Sequence, residues 1–344
     1  MKKSLIALAA LAATSAFAQS SVTIWGIADA GVQSAKQGGV SKTQLSSSGN
    51  ASSQLGFKGT EDLGGGMSAS FHLEAGLTVD NGTAAGVAFQ RRSTLDLAGS
   101  FGAVRLGRDY TPTFWNHTVF DPFGTLGSGA GSNITGKGQN ATTGARTSNG
   151  VSYLYGFAPN AGSALGSGLY VQATHAFAEN LSTAAKTNQY QGVRVGYANG
   201  PLNVAAATAK TVNGAYDDKE SNIGASYDLG VANLMAKTGT QEAGATGKKY
   251  TWTSIGAKIP MGSGYFPVSF NTSKNNLDDK KADQFAVGYV HNLSKRTAAY
   301  VAYSKITNKN GADYGFNGGN GGFGSGLTAT GNGTAYDLGL RHSF

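Results

Sequence analysis

An all-β fold, a large antiparallel transmembrane β-barrel, is predicted by three features of this sequence. They are an export leader with no later apolar span, a period-two alternation that recurs along the chain, and connections that alternate between short and long. The leader comes first. Lys2 and Lys3 precede an apolar run from Leu5 to Ala13, and Ala16-Phe17-Ala18 supplies the small-residue end of a secretory signal peptide. Cleavage after Ala18 is expected, leaving residues 19–344 as one barrel domain. The apolar run falls short of the roughly 20 residues that a spanning helix needs. No later segment has such a run, which excludes a helical membrane protein.

Composition agrees with a barrel. Glycine accounts for 52 of 344 residues, about twice the usual ~7%, without a collagen period. Tyr (15) and Phe (16) far outnumber Trp (3), and cysteine is absent, so neither disulfides nor thiolate metal sites hold the chain together.

Alternating runs follow in order: Val22 to Val32, Met67 to Val79, Leu169 to Phe177, Gly192 to Ala198, Leu202 to Thr208, Tyr265 to Thr272 and Thr297 to Ser304. They run from 7 to 13 residues, around the roughly 9–11 that a tilted membrane strand needs. Short turns are read at Glu61 to Gly66, Gly99 to Gly102, Asn199 to Pro201, Leu229-Gly230, Pro260 to Ser263 and Asn292 to Lys295. Longer polar connections are read at Ala35 to Asn50, Asp80 to Gly86, Tyr110 to Gly144, Glu179 to Asn188, Thr211 to Lys219, Thr240 to Lys249, Lys274 to Ala282 and Asn308 to Gly333. Strands counted between them number sixteen, with short turns at one rim and long loops at the other. In the last segment, Tyr336, Leu338, Leu340, His342 and Phe344 fall on one face, and Asp337, Gly339, Arg341 and Ser343 on the other. The first set is expected to meet lipid and the second the lumen.

Four stretches carry a family resemblance: Val22-Thr23-Ile24-Trp25-Gly26, Leu55-Gly56-Phe57-Lys58-Gly59-Thr60-Glu61-Asp62-Leu63-Gly64-Gly65-Gly66, Leu106-Gly107-Arg108-Asp109-Tyr110-Thr111-Pro112 and Gly339-Leu340-Arg341-His342-Ser343-Phe344. Through them the chain resembles the general diffusion porins of beta-proteobacteria, trimeric sixteen-stranded outer-membrane barrels. The resemblance implies passive passage of small hydrophilic solutes and ions with a weak anion preference. It also implies a homotrimer among outer-membrane lipid and lipopolysaccharide, and a third loop folded into the lumen. Tyr110 to Gly144 is the longest connection, and its apolar start (Phe114, Trp115, Val119, Phe120, Phe123) suits packing inside a barrel. The family sets basic side chains opposite that loop's acid. The matching positions are Arg91 and Arg146, facing Asp121, while a third family arginine is Gln54 here, which weakens the basic wall. Because neighbours on a strand point opposite ways, Arg92 is expected outward, at an interface or subunit contact, when Arg91 points in. Lys58 and Arg108 are placed near the rims.

Other functions have little behind them. The formal charge of +8, reduced by two when Lys2 and Lys3 leave with the signal, is scattered in pairs such as Lys248-Lys249 and Lys280-Lys281 and forms no nucleic-acid stripe. His72, His117, His175, His291 and His342 are widely spread and no Gly-x-Ser-x-Gly elbow is present, so the reading is a non-enzyme with no cofactor or metal. A solute-specific channel, or an adhesin or receptor barrel using the glycine-rich Asn308 to Gly333, is the alternative.

Overall fold

The structure, a computed structural model, describes residues 21–82, 87–137, 139–140, 142–158, 164–178, 180–181, 184–316 and 331–344. The signal peptide assigned to residues 1–18 and the glycine-rich centre of the last loop, 317–330, lie outside the described residues.

Among the described residues, seventeen strands form one closed antiparallel sheet: β1 (Ser21–Gln37), β2 (Val40–Ser47), β3 (Gln54–Gly64), β4 (Met67–Gly76), β5 (Arg92–Gly99), β6 (Gly102–Tyr110), β7 (Arg146–Tyr155), β8 (Gly168–Ala176), β9 (Thr187–Asn199), β10 (Leu202–Asn213), β11 (Tyr216–Asp228), β12 (Asn233–Ala243), β13 (Lys248–Met261), β14 (Gly264–Asn275), β15 (Lys281–Asn292), β16 (Thr297–Lys309) and β17 (Gly333–Ser343). β2 and β3 are two halves of one stave. β2 pairs with the second half of β1 (Ala30↔Ser47 to Gln37↔Val40) and β3 with the first half (Ser21↔Thr60 to Ile27↔Gln54). The barrel therefore has sixteen staves, and β17 closes it against β1 from Ile27↔Ser343 to Gln37↔Gly333. Closure leaves no unpaired edge, which backbone amides in hydrocarbon require.

The break at Ser48–Ser53 is satisfied locally. The Asp29 carboxylate accepts N–H groups from Gly49 (3.2 Å), Asn50 (2.9 Å) and Ala51 (2.6 Å), and the Tyr300 hydroxyl at 2.7 Å. Side-chain polarity is inverted relative to a soluble core. On β17, Tyr336, Leu338 and Leu340 are 56%, 64% and 50% exposed, while Asp337 is 2% exposed. The terminal alternation thus has its apolar set outward and its acid inward.

Two of the expected long connections are strand. β1 and β2 run on to a two-residue turn at Gly38-Gly39 inside the segment read as Ala35 to Asn50, and β10 and β11 meet at Gly214-Ala215 inside Thr211 to Lys219. Polar composition made both look like loop. Gly38 and Gly39 (φ 55° and 88°) supply the left-handed backbone that a tight hairpin requires, and Ser34 and Thr43 hydroxyls bond across it at 2.9 Å.

The third long loop, between β6 and β7, turns inward. It opens with α1 (Pro112–Val119), whose Pro sits where its missing N–H costs nothing, and includes α2 (Ser132–Thr135). α1 lies against β8 to β11 and α2 against β13 to β15. Asn116 donates to Asn222 (2.8 Å) and accepts from Arg194 (2.8 Å), and His117 bonds Glu220 at 2.7 Å. Phe120 fills the space over Gly224 that any Cβ would take. Farther on, Ser128 donates its N–H to Asp337 on β17 at 2.7 Å and accepts from Gln284 at 3.0 Å. The start of the last loop also folds in: Ala312, Tyr314 and Phe316 are buried with Ile134 of α2, and Lys137 pairs with Asp313 at 3.3 Å. Burial pushes the Tyr314 phenol up to about 12, so it stays neutral at physiological pH.

Candidate pore constriction

The loop touches the wall from β8 round to β17, so the open lumen lies against the remaining staves. A cavity of about 490 Å³ is found there, lined by Gln54 and Lys58 of β3, Glu74 of β4, Arg91, Arg92 and Tyr110 on the wall, and Trp115 and Leu126 on the loop.

Charge on this wall is largely cross-braced. Arg91 donates through Nε to Glu74 at 2.6 Å. Arg92 donates to Asp109 at 2.8 Å, and Arg105 bridges Asp96 (2.7 Å) and Asp109 (2.5 Å). Three guanidinium groups thus face three carboxylates. Arg–carboxylate pairs of this kind are held by several N–H···O bonds and fix geometry as well as charge.

Tyr110 joins the two predicted arginines. Its hydroxyl accepts from Arg91 Nη2 and from Arg146 Nη2, each at 2.6 Å, and the Arg146 guanidinium lies 4.2 Å from the ring centroid. The ring in turn stacks on Phe114 (5.3 Å) and tilts against Trp115 (4.7 Å), tying the arginines to the first turn of the loop. Sequence reading marks Tyr110 only as the start of the loop. A tyrosine at the end of a strand, directly before an apolar loop, is the signal it offers.

Two expectations are corrected. Arg92 does not face an interface; it is 2% exposed and points inward with Glu74, its cross-strand partner. Arg91 lies beside it because β5 begins only at Arg92, so strand alternation does not govern Arg91. Asp121 does not present an open acid to the lumen. Its carboxylate is fully buried, pairs with Lys237 of β12 at 2.8 Å, and accepts the N–H groups of Phe123 (2.9 Å) and Gly131 (3.1 Å). It pins the loop to the wall, and its partner lies 116 residues away in sequence, where spacing gives no hint. Gln54 does line the cavity, at the top of β3 next to the stave break.

The histidines are dispersed: His117 is buried in the loop joint, and His72 stacks edge-on with Trp25 at 5.8 Å. Among the described residues no group of three or more His, Cys, Asp or Glu side chains could hold a metal.

Comparison with known proteins matches the barrel fold. The Gram-negative porin family profile matches residues 4–311. Outer membrane porin protein 32 of Delftia acidovorans is 40% identical over 360 residues, covering 100% of both chains. An outer membrane porin protein of Bordetella pertussis is 29% identical over 89% of this chain and 94% of its own. Among solved structures, the anion-selective porin from Comamonas acidovorans superposes with a TM-score of 0.83 at 36% identity, covering 95% of this chain and 100% of that one. Salmonella typhi OmpF, in complex with daunomycin, shares the fold alone, with a TM-score of 0.70 at 16% identity over 94% of this chain and 97% of its own. With a family profile spanning most of its length and a full-length relative at 40% identity, the chain belongs to the Gram-negative porins.

Proposed function

We propose that this outer-membrane barrel is a homotrimeric general diffusion channel, preferring small anions weakly, with its narrowest section beside Arg91, Arg146 and Gln54. The observation that carries the reading is the pair of arginines held on one tyrosine hydroxyl at the edge of the cavity, facing a loop side formed by Trp115 and Leu126. Diffusion needs no cofactor and no catalytic group. Fixed positive charge on one flank raises the local concentration of anions and lowers that of cations. The bias is modest because Glu74, Asp96 and Asp109 offset most of the guanidinium charge, and because Gln54 adds none. Asp121 contributes as the anchor that sets the loop's position. Residues 1–18 act as a cleaved export signal, and lipid with lipopolysaccharide surrounds the barrel.

Trimerisation follows the family resemblance, and the likeness to the anion-selective porin from Comamonas acidovorans supports the sign of the preference. The test is single-channel recording of the mature protein in a planar bilayer under a salt gradient. Closures in steps of three and an anion-side reversal potential are expected, and replacing Arg91 and Arg146 by Gln should move that potential toward cations. A potential unchanged by the double replacement would remove both arginines from the constriction, and absence of conductance would end the channel reading.

A further inference from the structure

We infer that Lys58 is a selectivity-determining residue of the pore, supplying the positive charge that Gln54 lacks. This rests on the channel reading above. Lys58 follows Gln54 by four residues on β3, so both point to the lumen, about 13 Å apart at 3.3 Å per residue. Between them Gly56 leaves the wall flat enough for the Trp25 indole to lie across it, since a Cβ there would overlap the ring. Lys58 stands opposite His72 in the β3–β4 ladder, and both line the same cavity as Arg91 and Arg92.

Of the three cations lining this cavity, two are committed. Arg91 is paired with Glu74 and Arg92 with Asp109. Lys58 makes no ion pair among the described residues. A paired guanidinium presents a dipole to a passing ion, whereas an unpaired ammonium presents a full charge, and the potential of the second falls off more slowly. The ammonium stands toward the short-turn rim from Gln54, so the basic position is moved along the pore axis rather than lost. Lysine also suits a transit site: a flexible point charge attracts anions without the bidentate grip that would hold them.

The chain has no cysteine, so Lys58→Cys creates a single thiol that can be recharged in place. The measurement is the reversal potential of the reconstituted variant before and after a cationic trimethylammonium-ethyl or an anionic sulfonatoethyl methanethiosulfonate. At 0.1 M salt, a unit charge passed at about 5 Å changes the anion-to-cation permeability ratio by about fivefold. The ratio should fall by about that factor in Lys58→Cys, return with the cationic reagent and fall further with the anionic one. A ratio equal to wild type, and unmoved by either reagent when mass spectrometry shows the thiol labelled, would overturn the assignment while leaving the channel intact. A wild-type protein that does not conduct would instead sink the channel reading, and the role of Lys58 with it.

Discussion

Replacing Asp121 by Asn should release the third loop without unfolding the barrel. Asp121 and Lys237 form an ion pair with no exposed side-chain area on either partner. Removing one charge leaves the other buried, and such a break costs about 3–5 kcal/mol. Lys237 keeps the His117 carbonyl at 2.7 Å, and an Asn side chain retains an acceptor for the Phe123 N–H, which places the effect near the lower figure. At 1.4 kcal/mol per decade, about 3 kcal/mol lowers the ratio of docked to undocked loop roughly 100-fold. Cleavage by trypsin after Lys137, which lies on this loop and is partly exposed, reports that ratio when opening is faster than cutting. The expected result is a rise of about two decades in the nicking rate, noisier single-channel current, and an unchanged thermal midpoint for the strands. Lys237→Met should act similarly, and the double variant should recover much of the loss because a neutral pair has no charge to strand. Equal nicking rates in wild type and both single variants, or a double variant no better than their sum, would refute the claim that this pair anchors the loop.

Two further substitutions test the neighbouring contacts. Gly224→Ala places a methyl where the Phe120 ring lies, so the loop must shift at about 1–3 kcal/mol, and nicking after Lys137 should rise with no change in β-sheet circular dichroism. Tyr110→Phe removes the acceptor shared by Arg91 and Arg146 and should cost about 1–3 kcal/mol of local order, read as larger open-channel current fluctuations at a nearly constant reversal potential.

The barrel is largely legible in the sequence because its determinants are local. Period-two alternation in Thr334 to Phe344 fixes which side chains meet lipid, and turns such as Gly99 to Gly102 declare themselves by residue type. Polar hairpins are harder. Thr211 to Lys219 reads as loop by composition, but the strands continue because each backbone group still finds its partner across the turn. The constriction is legible in part. Arg91 and Gln54, singled out by motif neighbours, do line the cavity, and Arg146 shares the Tyr110 hydroxyl with Arg91, whereas the burial of Asp121 depends on Lys237, and the inward turn of Arg92 depends on where β5 begins. Lys58 reads as a rim charge because nothing in its neighbours reveals that the cavity reaches it. Contacts across the lumen join residues far apart in the chain, and no local pattern encodes them.

The loop's path along the wall from β8 to β17 sets the outline of the opening. An inward loop applied to one side of a cylinder should leave a crescent rather than a round hole, with Trp115 and Leu126 of the loop on one flank and Gln54, Lys58 and Glu74 of the staves on the other. A crescent of given area admits a thin plate more readily than a sphere of the same volume. Molecular sieving in this porin is then expected to depend on shape as well as mass, with solutes sorting by their smallest dimension rather than by their radius of gyration.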